Sequence, residues 1–260
     1  MSNGGSGMAW AAVVAALALS ACQSAVELPD NQSVTTDEFP AADRPIATIV
    51  SSRWSTEEAR DRLNEAELVM DRAGIAPGMT VADIGAGEGY YTIRLAARVG
   101  KDGRVVAQDI VEETRDALAR RVSRERLQNV AVRLGLPADP RLPAGSFDRV
   151  LMVHMYHEIS DPYAFLWNLR PSLRPGGRVI VVDANRLTQN HGTPPVLLRC
   201  EFAAVGYRQV EMREMESAGG YLAAFEAVGA RPEPSAIKPC RLSAPPPAAQ
   251  GGGPSDDMPD

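Results

Sequence analysis

Residues 79–91 have the sequence MTVADIGAGEGYY, in which a short apolar run leads into three glycines at alternate positions. The apolar run at 79–84 predicts a buried strand, because it is short and bounded by turn residues. Glycine adopts positive φ without a steric penalty and lets a ligand approach the backbone closely. The residues at 90–99 predict a helix, whose first turn offers free N–H groups. The stretch therefore predicts a strand, a ligand-binding turn and a helix.

Outward from this stretch, strand and helix patterns alternate along the chain. Ser55 followed by Glu58 is a capping box, which predicts a helix that ends at Gly74. Further strands are predicted at 104–110, 130–134, 147–153 and 178–183, and further helices at 111–127, 161–173 and 193–205. Two late strands are predicted at 207–214 and 221–226, joined by a hairpin-like turn.

This alternation predicts an α/β fold, a doubly wound and mostly parallel sheet of seven strands with helices on both faces. The late pair of strands, which has no helix between its members, predicts an antiparallel edge. Pro175, Gly176 and Gly177 are predicted to separate the fifth strand from the helix before it. Open sheets of this type bind ligands beyond the carboxyl ends of their strands. The residues that directly follow each strand are therefore the candidates for a functional site.

Two acidic residues flank the glycine-rich turn. Asp83 lies two residues before Gly85, and Asp109 lies at the end of the second predicted strand, twenty residues after Gly89. An acid in the position of Asp109 accepts hydrogen bonds from the ribose hydroxyls of an adenosine. A dinucleotide site prefers the spacing G-x-G-x-x-G, whereas this turn has G-x-G-x-G, and a carboxylate at Asp83 would repel a pyrophosphate. The same carboxylate would attract the ammonium group of S-adenosylmethionine, a cofactor that carries no phosphate.

The segments at 81–91, 104–110, 146–153 and 173–183 resemble the successive motifs of class I S-adenosylmethionine-dependent methyltransferases, and the segment 170–178 is especially typical of them. The resemblance covers about residues 55–228. More narrowly, the chain resembles bacterial predicted methyltransferases with Tyr156-His157-Glu158 after the fourth strand and a His191-Gly192-Thr193-Pro194-Pro195 element before the last helix. The resemblance implies a Rossmann-like sheet whose seventh strand is antiparallel.

The resemblance also implies a role for individual residues. By this resemblance, Asp83 would bind the methionine amino group and Asp109 would hold the ribose hydroxyls. The three glycines would line the methionine and the ribose. The adenine amino group is usually met by the acid of a Gly-Asp pair after the third strand, where this chain has Gly135-Leu136. Asp139 is the candidate that could fill this role from a two-residue insertion. The implied S-adenosyl-L-methionine site is therefore Asp83, Gly85, Gly87, Gly89, Asp109, Ile110 and Asp139, with His154 at its edge.

Methyl transfer from a sulfonium chiefly requires in-line placement of the acceptor and exclusion of water. A hydroxyl acceptor also benefits from a base that removes its proton. His157 is the candidate base, because imidazole titrates near neutral pH, and Glu158 would orient it or meet the acceptor. The alternative is that both residues only stabilise the loop after the fourth strand. His191 and Arg199 lie near the last helix and are candidates to line the acceptor site.

Composition narrows the classes of partner. The chain has 260 residues, 27 Lys and Arg against 33 Asp and Glu, and a net charge of −6. This balance argues against a nucleic-acid substrate, which requires a basic surface. We expect no metal, because Cys200 and Cys240 have no metal-ligand neighbours in the sequence, and Cys200 lies in an apolar helical pattern that predicts a core residue. The expected acceptor is a small molecule or a lipid.

The ends of the chain differ from its middle. Residues 1–21 contain no charge, and the apolar run from Met8 to Ala21 has the length of a secretory signal. The run ends in Leu-Ser-Ala before Cys22, which resembles the bacterial lipoprotein processing site and implies a lipid anchor at that cysteine. The segment departs from this pattern because it lacks an initial Lys or Arg. The expected location is the periplasmic side of the cell envelope, or the cytoplasm if the signal is unused.

The resulting division of the chain is a signal peptide at 1–21, a disordered tether at 22–44, a methyltransferase domain at 45–228 and a disordered tail rich in Pro and Gly at 229–260. Two other functions stay open. A lipid-anchored protein that binds S-adenosylmethionine or a nucleotide without catalysis would explain export away from the cytoplasm, where S-adenosylmethionine is made. A nicotinamide-dependent oxidoreductase has the same layered fold, but the glycine spacing and Asp83 argue against it.

Overall fold

The glycine-rich turn joins strand β1, Thr80–Ile84, to helix α3, Tyr90–Val99. The structure is a computed structural model that describes Met1, residues 36–49 and residues 56–241. The predicted signal peptide beyond Met1, the lipidation site at Cys22 and the first part of the predicted tether lie outside the described residues. The helix and strand predicted from residues 79–91 are confirmed.

Seven strands form one sheet in the order β3-β2-β1-β4-β5-β7-β6. The pairs from β3 to β5 are parallel, and the pairs β5–β7 and β7–β6 are antiparallel. The predicted fold class is confirmed, including the antiparallel pairing at one edge. Besides β1, the strands are β2 Arg104–Asp109, β3 Val130–Leu134, β4 Phe147–Val153, β5 Leu173–Asp183, β6 Tyr207–Met215 and β7 Gly220–Ala227.

Helices cover both faces of the sheet, because the side chains of the central strands alternate between two apolar clusters. Ala82 packs in the cluster that contains Phe165 and Phe202. Its neighbour Val81 packs in the cluster that contains Leu95. The helices besides α3 are α1 Glu57–Arg62, α2 Glu65–Arg72, α4 Glu112–Arg124, α5 Pro162–Leu169 and α6 Pro195–Ala204.

Two local predictions are wrong. The helix predicted from Ser55 to Gly74 is two helices, because Asn64 adopts a left-handed conformation with φ of 53°, and its cap is Thr56, whose hydroxyl accepts from the Ala59 N–H. The Pro-Gly-Gly segment at 175–177 does not precede β5 but lies inside it. The register between β4 and β5 shifts between Phe147 and Arg149 of β4. Residues 175–177 therefore form an irregularity in β5, as in a β-bulge.

Both ends of the described chain pack onto the sheet domain, which corrects the predicted tether and tail. Arg44, assigned to the tether, donates from Nε to Glu201 on α6 at 2.8 Å, and both side chains are fully buried. Ile237 and Cys240, assigned to the tail, are also buried. We call residues 36–49 the N-terminal arm and residues 228–241 the C-terminal arm. The folded domain therefore extends beyond 45–228 at both ends.

A disulfide joins Cys200 on α6 to Cys240 on the C-terminal arm. Cys200 is exposed, so the prediction that it is a core residue is wrong. The apolar pattern of α6 did not reveal the pairing, because the two cysteines are 40 residues apart. The bond fastens the C-terminal arm to the face of the domain that α6 covers.

Replacing both cysteines by serine should lower the free energy of unfolding by about 2–4 kcal/mol, because the closed loop of 40 residues restricts the unfolded chain. Urea unfolding followed by circular dichroism measures the change. The wild type in excess dithiothreitol should match the double variant, and dithiothreitol should not affect the variant. Equal midpoints for the oxidised wild type and the variant would show that the bond does not form in solution.

Candidate functional site

The glycine-rich turn depends on backbone conformations that other residues rarely adopt. Gly85, Gly87 and Gly89 have φ of 66°, 55° and 91°. A Cβ at Gly89 would lie 2.5 Å from the Leu118 side chain, and one at Gly85 would lie 3.0 Å from the Met155 side chain. The turn therefore packs tightly against Leu118 and Met155, and Gly85 is exposed on its surface.

Asp109, at the end of β2, connects this turn to the start of α4. Its Oδ2 accepts from the Gly87 N–H at 3.0 Å and its Oδ1 accepts from the Val111 N–H at 2.9 Å. Each carboxylate oxygen has a second lone-pair site, so the group can also accept from two ribose hydroxyls. The next residue, Ile110, leaves 37% of its surface exposed. An apolar side chain exposed beside this carboxylate suits the face of an adenine.

Asp83 is buried on β1, behind the turn. Its Oδ2 accepts from the Thr92 hydroxyl at 2.6 Å. Burial raises the pKa of this carboxyl to about 6, although the hydrogen bond from Thr92 opposes the shift. Because the pKa rises on folding, ionisation costs the free protein stability as pH rises from the ordinary value to about 6. A cationic group bound beside Asp83 would offset that cost.

The loop after β3 lies beside Asp109, and its Asp139 side chain is hydrogen-bonded within the loop itself. The Gly135 N–H donates to the Asp109 carbonyl at 3.0 Å. Leu136 and Asp139 form a two-residue bridge, and the Asp139 side chain accepts from the Arg141 N–H at 2.7 Å. The adenine role of Asp139 stays a prediction, and this local bond gives it no support.

Gln108 is a buried polar group beside this loop that the sequence analysis missed. Its Nε2 has no hydrogen-bond partner among the described residues. A Cβ at position 135 would lie 1.8 Å from that nitrogen, so Gly135 makes room for the amide. The available signal was a polar residue in an otherwise apolar strand.

His157 lies in the short loop after β4 and is fully buried. Its Nδ1 is 3.0 Å and 3.1 Å from the two carboxylate oxygens of Asp183, the last residue of β5. Asp183 also accepts from the Ala184 N–H and the Thr193 hydroxyl. Because a carboxylate accepts, we assign the proton of His157 to Nδ1, which leaves the lone pair on Nε2. The sequence analysis missed Asp183, although the end of a strand was the place to look.

The other candidate residues lie at different distances from His157. His154 adopts φ of 54°, and burial lowers the pKa of its imidazole, which favours the neutral ring. His191 follows β5, also has φ of 54°, and its ring meets that of His157 edge to face at 5.5 Å. Glu158 brings a carboxylate oxygen to within 4.8 Å of ligand atoms of both. Arg199 is exposed on α6.

These features fit S-adenosylmethionine. Asp83 would face its ammonium group, the turn at 85–89 its methionine and ribose, and Asp109 the ribose hydroxyls, with Ile110 against the adenine. The buried carboxyl at Asp83 is the deciding feature, because a bound cation offsets the cost of its ionisation. His154, His157 and Glu158 follow the adjacent strand, on the side from which an acceptor would approach.

Residues 81–177 match the profile of a family described as methyltransferase domain. The central region of the chain is therefore similar to methyltransferase domains. S-adenosylmethionine is the cofactor of this family, in agreement with the groups that surround the turn. The matched region begins in β1 and ends in β5, so it includes the turn, Asp109 and His157.

Curated methyltransferases match the chain over its central region. Nocamycin O-methyltransferase from Saccharothrix syringae is 38% identical over 114 residues, which are 44% of this chain and 41% of that protein. The ubiquinone/menaquinone biosynthesis C-methyltransferase UbiE from Hydrogenovibrio crunogenus is 31% identical over 126 residues, 46% of this chain and 48% of that protein. The chain spans about half the length of these relatives.

Solved structures support the fold. An S-adenosylmethionine-dependent methyltransferase from Aquifex aeolicus has a TM-score of 0.56 and 24% identity, over 66% of this chain and 97% of that one. The cyclase SpnF has a TM-score of 0.56 and 18% identity, over 75% of this chain and 90% of that one. Because one of these proteins is a cyclase, the shared architecture alone does not identify the reaction.

The affinity for S-adenosylmethionine should fall as pH falls through about 6, because protonation removes the charge that faces the ammonium group. At pH 5 about one Asp83 carboxyl in ten stays ionised, so we expect binding about tenfold weaker than at pH 7.5. Isothermal titration calorimetry across this range measures the profile.

Two variants test the assignment to Asp83. Asp83→Asn should bind weakly at every pH and lose the step near pH 6. Asp102→Asn removes an exposed carboxyl in the turn before β2 and should keep both the affinity and the step. An unchanged step in the Asp83→Asn variant would assign the titration to a different group.

Proposed function

We propose that this protein is a methyltransferase that moves the methyl group of S-adenosylmethionine to a small-molecule or lipid acceptor. The observation that carries the proposal is the buried Asp83 behind the glycine-rich turn, with its raised pKa and its neutral hydrogen-bond donor. This carboxyl is matched to a ligand with a positive charge at that place. S-adenosylmethionine has such a group and presents no phosphate to the two carboxylates.

The same arrangement argues against a nicotinamide dinucleotide. Its pyrophosphate would have to approach the turn between Asp83 and Asp109, and the charge of Asp109 already contributes to the raised pKa of Asp83. In addition, α3 begins directly after Gly89, without the extra residue of the dinucleotide spacing. Both features favour the methyl donor.

Bound S-adenosylmethionine supplies an electrophilic methyl group, so the chain has to position the acceptor, exclude water and take up any proton the acceptor loses. The loop after β4 is placed for the last task. We propose that a hydroxyl acceptor loses its proton beside His157 and Glu158. Asp183 supports this role, because it fixes the imidazole so that Nε2 is the nitrogen available for chemistry. The names of the relatives include O- and C-methyltransferases, so they leave the acceptor atom open.

Calorimetric titration of the purified protein tests the proposal against its two alternatives. We expect binding of S-adenosylmethionine and no binding of nicotinamide dinucleotides. Asp109→Ala should weaken binding by about 1–3 kcal/mol, because ribose hydroxyls and the turn both lose an ionised acceptor. Binding of the dinucleotide alone would replace this proposal by an oxidoreductase.

Turnover separates an enzyme from a protein that only binds. The bound methyl donor should yield S-adenosylhomocysteine when the protein is incubated with an extract of total bacterial lipids or with quinols, measured by mass spectrometry. The Asp109→Ala variant is the matched control and should form less product at the same donor concentration. Tight binding with no product from any hydroxylated acceptor would support the non-catalytic alternative.

We further propose that the protein is anchored by lipid at Cys22 on the periplasmic side of the cell envelope. Two observations support this location: the apolar run that ends at Cys22, and the disulfide between Cys200 and Cys240, a bond that persists in oxidising compartments. The described part of the chain contains no helix with the length and apolar character to cross a bilayer.

Replacement of Cys22 by serine in the full chain should move the protein from the membrane fraction to the soluble fraction, because the thiol is the atom that carries the lipid. Fractionation of bacteria that express either form measures the shift. Cys200→Ser is the matched control and should stay with the membrane. A wild type found in the soluble fraction would contradict the lipid anchor.

A further inference from the structure

Three side chains with metal-ligating atoms lie together where the loops after β4 and β5 meet. They are His157 and Glu158 from the first loop and His191 from the second. One ligand atom of each lies within 4.8 Å of the others. Two imidazoles and a carboxylate are the ligand set of sites that hold a transition metal and keep coordination positions open. We call these residues the His-Glu-His cluster.

His157 is arranged as a ligand. Its Nδ1 is held by Asp183, so Nε2 is the nitrogen left to bind an ion. This Nε2 is buried and has no hydrogen-bond partner among the described residues. A buried polar atom without a hydrogen-bond partner is energetically unfavourable. A metal ion at Nε2 would satisfy it.

Asp183 supplies the second feature of a metal site. Ligating histidines nearly always donate their other ring N–H to a carboxylate or carbonyl, which fixes the ring and raises its basicity. Asp183 is itself fixed, because it accepts from the Ala184 N–H at 2.8 Å and from the Thr193 hydroxyl at 2.7 Å. The Thr193 carbonyl in turn accepts from the Tyr221 hydroxyl at 2.7 Å. The support for His157 is therefore built into β5 and its neighbour β7.

The position of His191 is also determined by the backbone. Its φ of 54° is uncommon for a residue other than glycine and persists where the surroundings enforce it. The His191 N–H donates to the Thr188 carbonyl at 3.1 Å, and the Thr188 hydroxyl donates to the Pro45 carbonyl at 2.6 Å. The N-terminal arm therefore holds the loop that brings His191 to His157.

We propose that the His-Glu-His cluster binds one divalent transition-metal ion, of the kind represented by Zn²⁺ or Co²⁺. His157 Nε2, a ring nitrogen of His191 and the Glu158 carboxylate are the protein ligands, and the remaining positions are open to water or to an acceptor oxygen. This inference goes against the expectation from sequence, which found no metal site because His191 lies 33 residues from Glu158. It concerns a feature of the proposed methyltransferase but does not require its activity.

The ion gives the proposed reaction a defined proton step. A cation lowers the pKa of a bound water or hydroxyl by several units. An ion held by His157, His191 and Glu158 would therefore favour loss of the acceptor's hydroxyl proton to solvent. The acceptor oxygen would form its bond to the methyl carbon as the carbon–sulfur bond breaks, and the products would be the methyl ether or ester, S-adenosylhomocysteine and one proton.

Nε2 of His157 would bind the ion in the metal model, whereas it would accept a proton if His157 were the base. A proton and a metal ion compete for Nε2 of His157, so a variant of His157 affects both models. His191 separates them, because it is a ligand in the metal model and has no part in proton transfer by His157 alone.

Metal titration of the full chain tests the proposal. Protein purified without a histidine tag is stripped with a chelator and titrated with Co²⁺, followed by visible absorption, and with Zn²⁺, followed by calorimetry. We expect one ion per chain. His191→Ala should weaken binding about 100-fold or more, and Asp183→Asn about 10–100-fold, as for other residues that orient a ligand. His154→Gln is the matched control and should bind as tightly as the wild type.

Further measurements keep the outcomes separate. Thermal unfolding of each variant shows whether the fold is intact, and titration with S-adenosylmethionine is run on the same samples. A wild type that binds S-adenosylmethionine but neither metal ion would overturn the metal site and leave the proposed function standing. A wild type that binds metal but no S-adenosylmethionine would support the metal site and overturn the proposed function. Equal Co²⁺ affinity in the His191→Ala variant would also overturn the proposal.

Discussion

Parallel pairing around β1 determines where the chemistry of this protein can occur. Ile84 at the end of β1 pairs with Gln108 of β2 on one side and with Met152 of β4 on the other. The three strands therefore end at nearly the same level, and the loops after them share one edge of the sheet. The donor site follows β1 and β2, and the His-Glu-His cluster follows β4 and β5. In-line transfer needs this kind of proximity between donor and acceptor.

Three buried carboxylates show how the interior distributes its charges. Glu201 meets the guanidinium of Arg44 and the hydroxyl of Tyr156, and Asp183 meets His157, a backbone N–H and a hydroxyl. Asp83 meets neutral donors from Thr92, and its pKa rises to about 6. Burial of a carboxylate without a nearby cation is costly, and burial raises the pKa of Asp83. A cationic ligand beside Asp83 would balance its charge, as we propose for the donor site.

The local sequence pattern predicted the strands and helices around the site. It could not predict contacts between residues that are far apart in the sequence. The strand at 147–153 was predicted with the bounds that the structure has, because its apolar run is short and continuous. Residues 36–44 looked like a polar tether, yet Arg44 is buried against Glu201, 157 residues away. In the same way His157 was predicted as a base, but its partner Asp183 comes from β5 and its neighbour His191 from the loop after β5. A composition-based pattern carries no information on such pairs until the strand order is known.

The N-terminal arm links the proposed location to the proposed acceptor. The arm contacts the loop after β4, because the Ala47 N–H donates to the His157 carbonyl at 3.1 Å and Arg44 donates to the Ile159 carbonyl at 3.2 Å. Cys22 is 14 residues before the start of the arm at Thr36, which limits the distance between them to about 50 Å. If Cys22 carries a lipid, as we propose, the arm would stay within this distance of a bilayer, where a lipid acceptor is at a high local concentration.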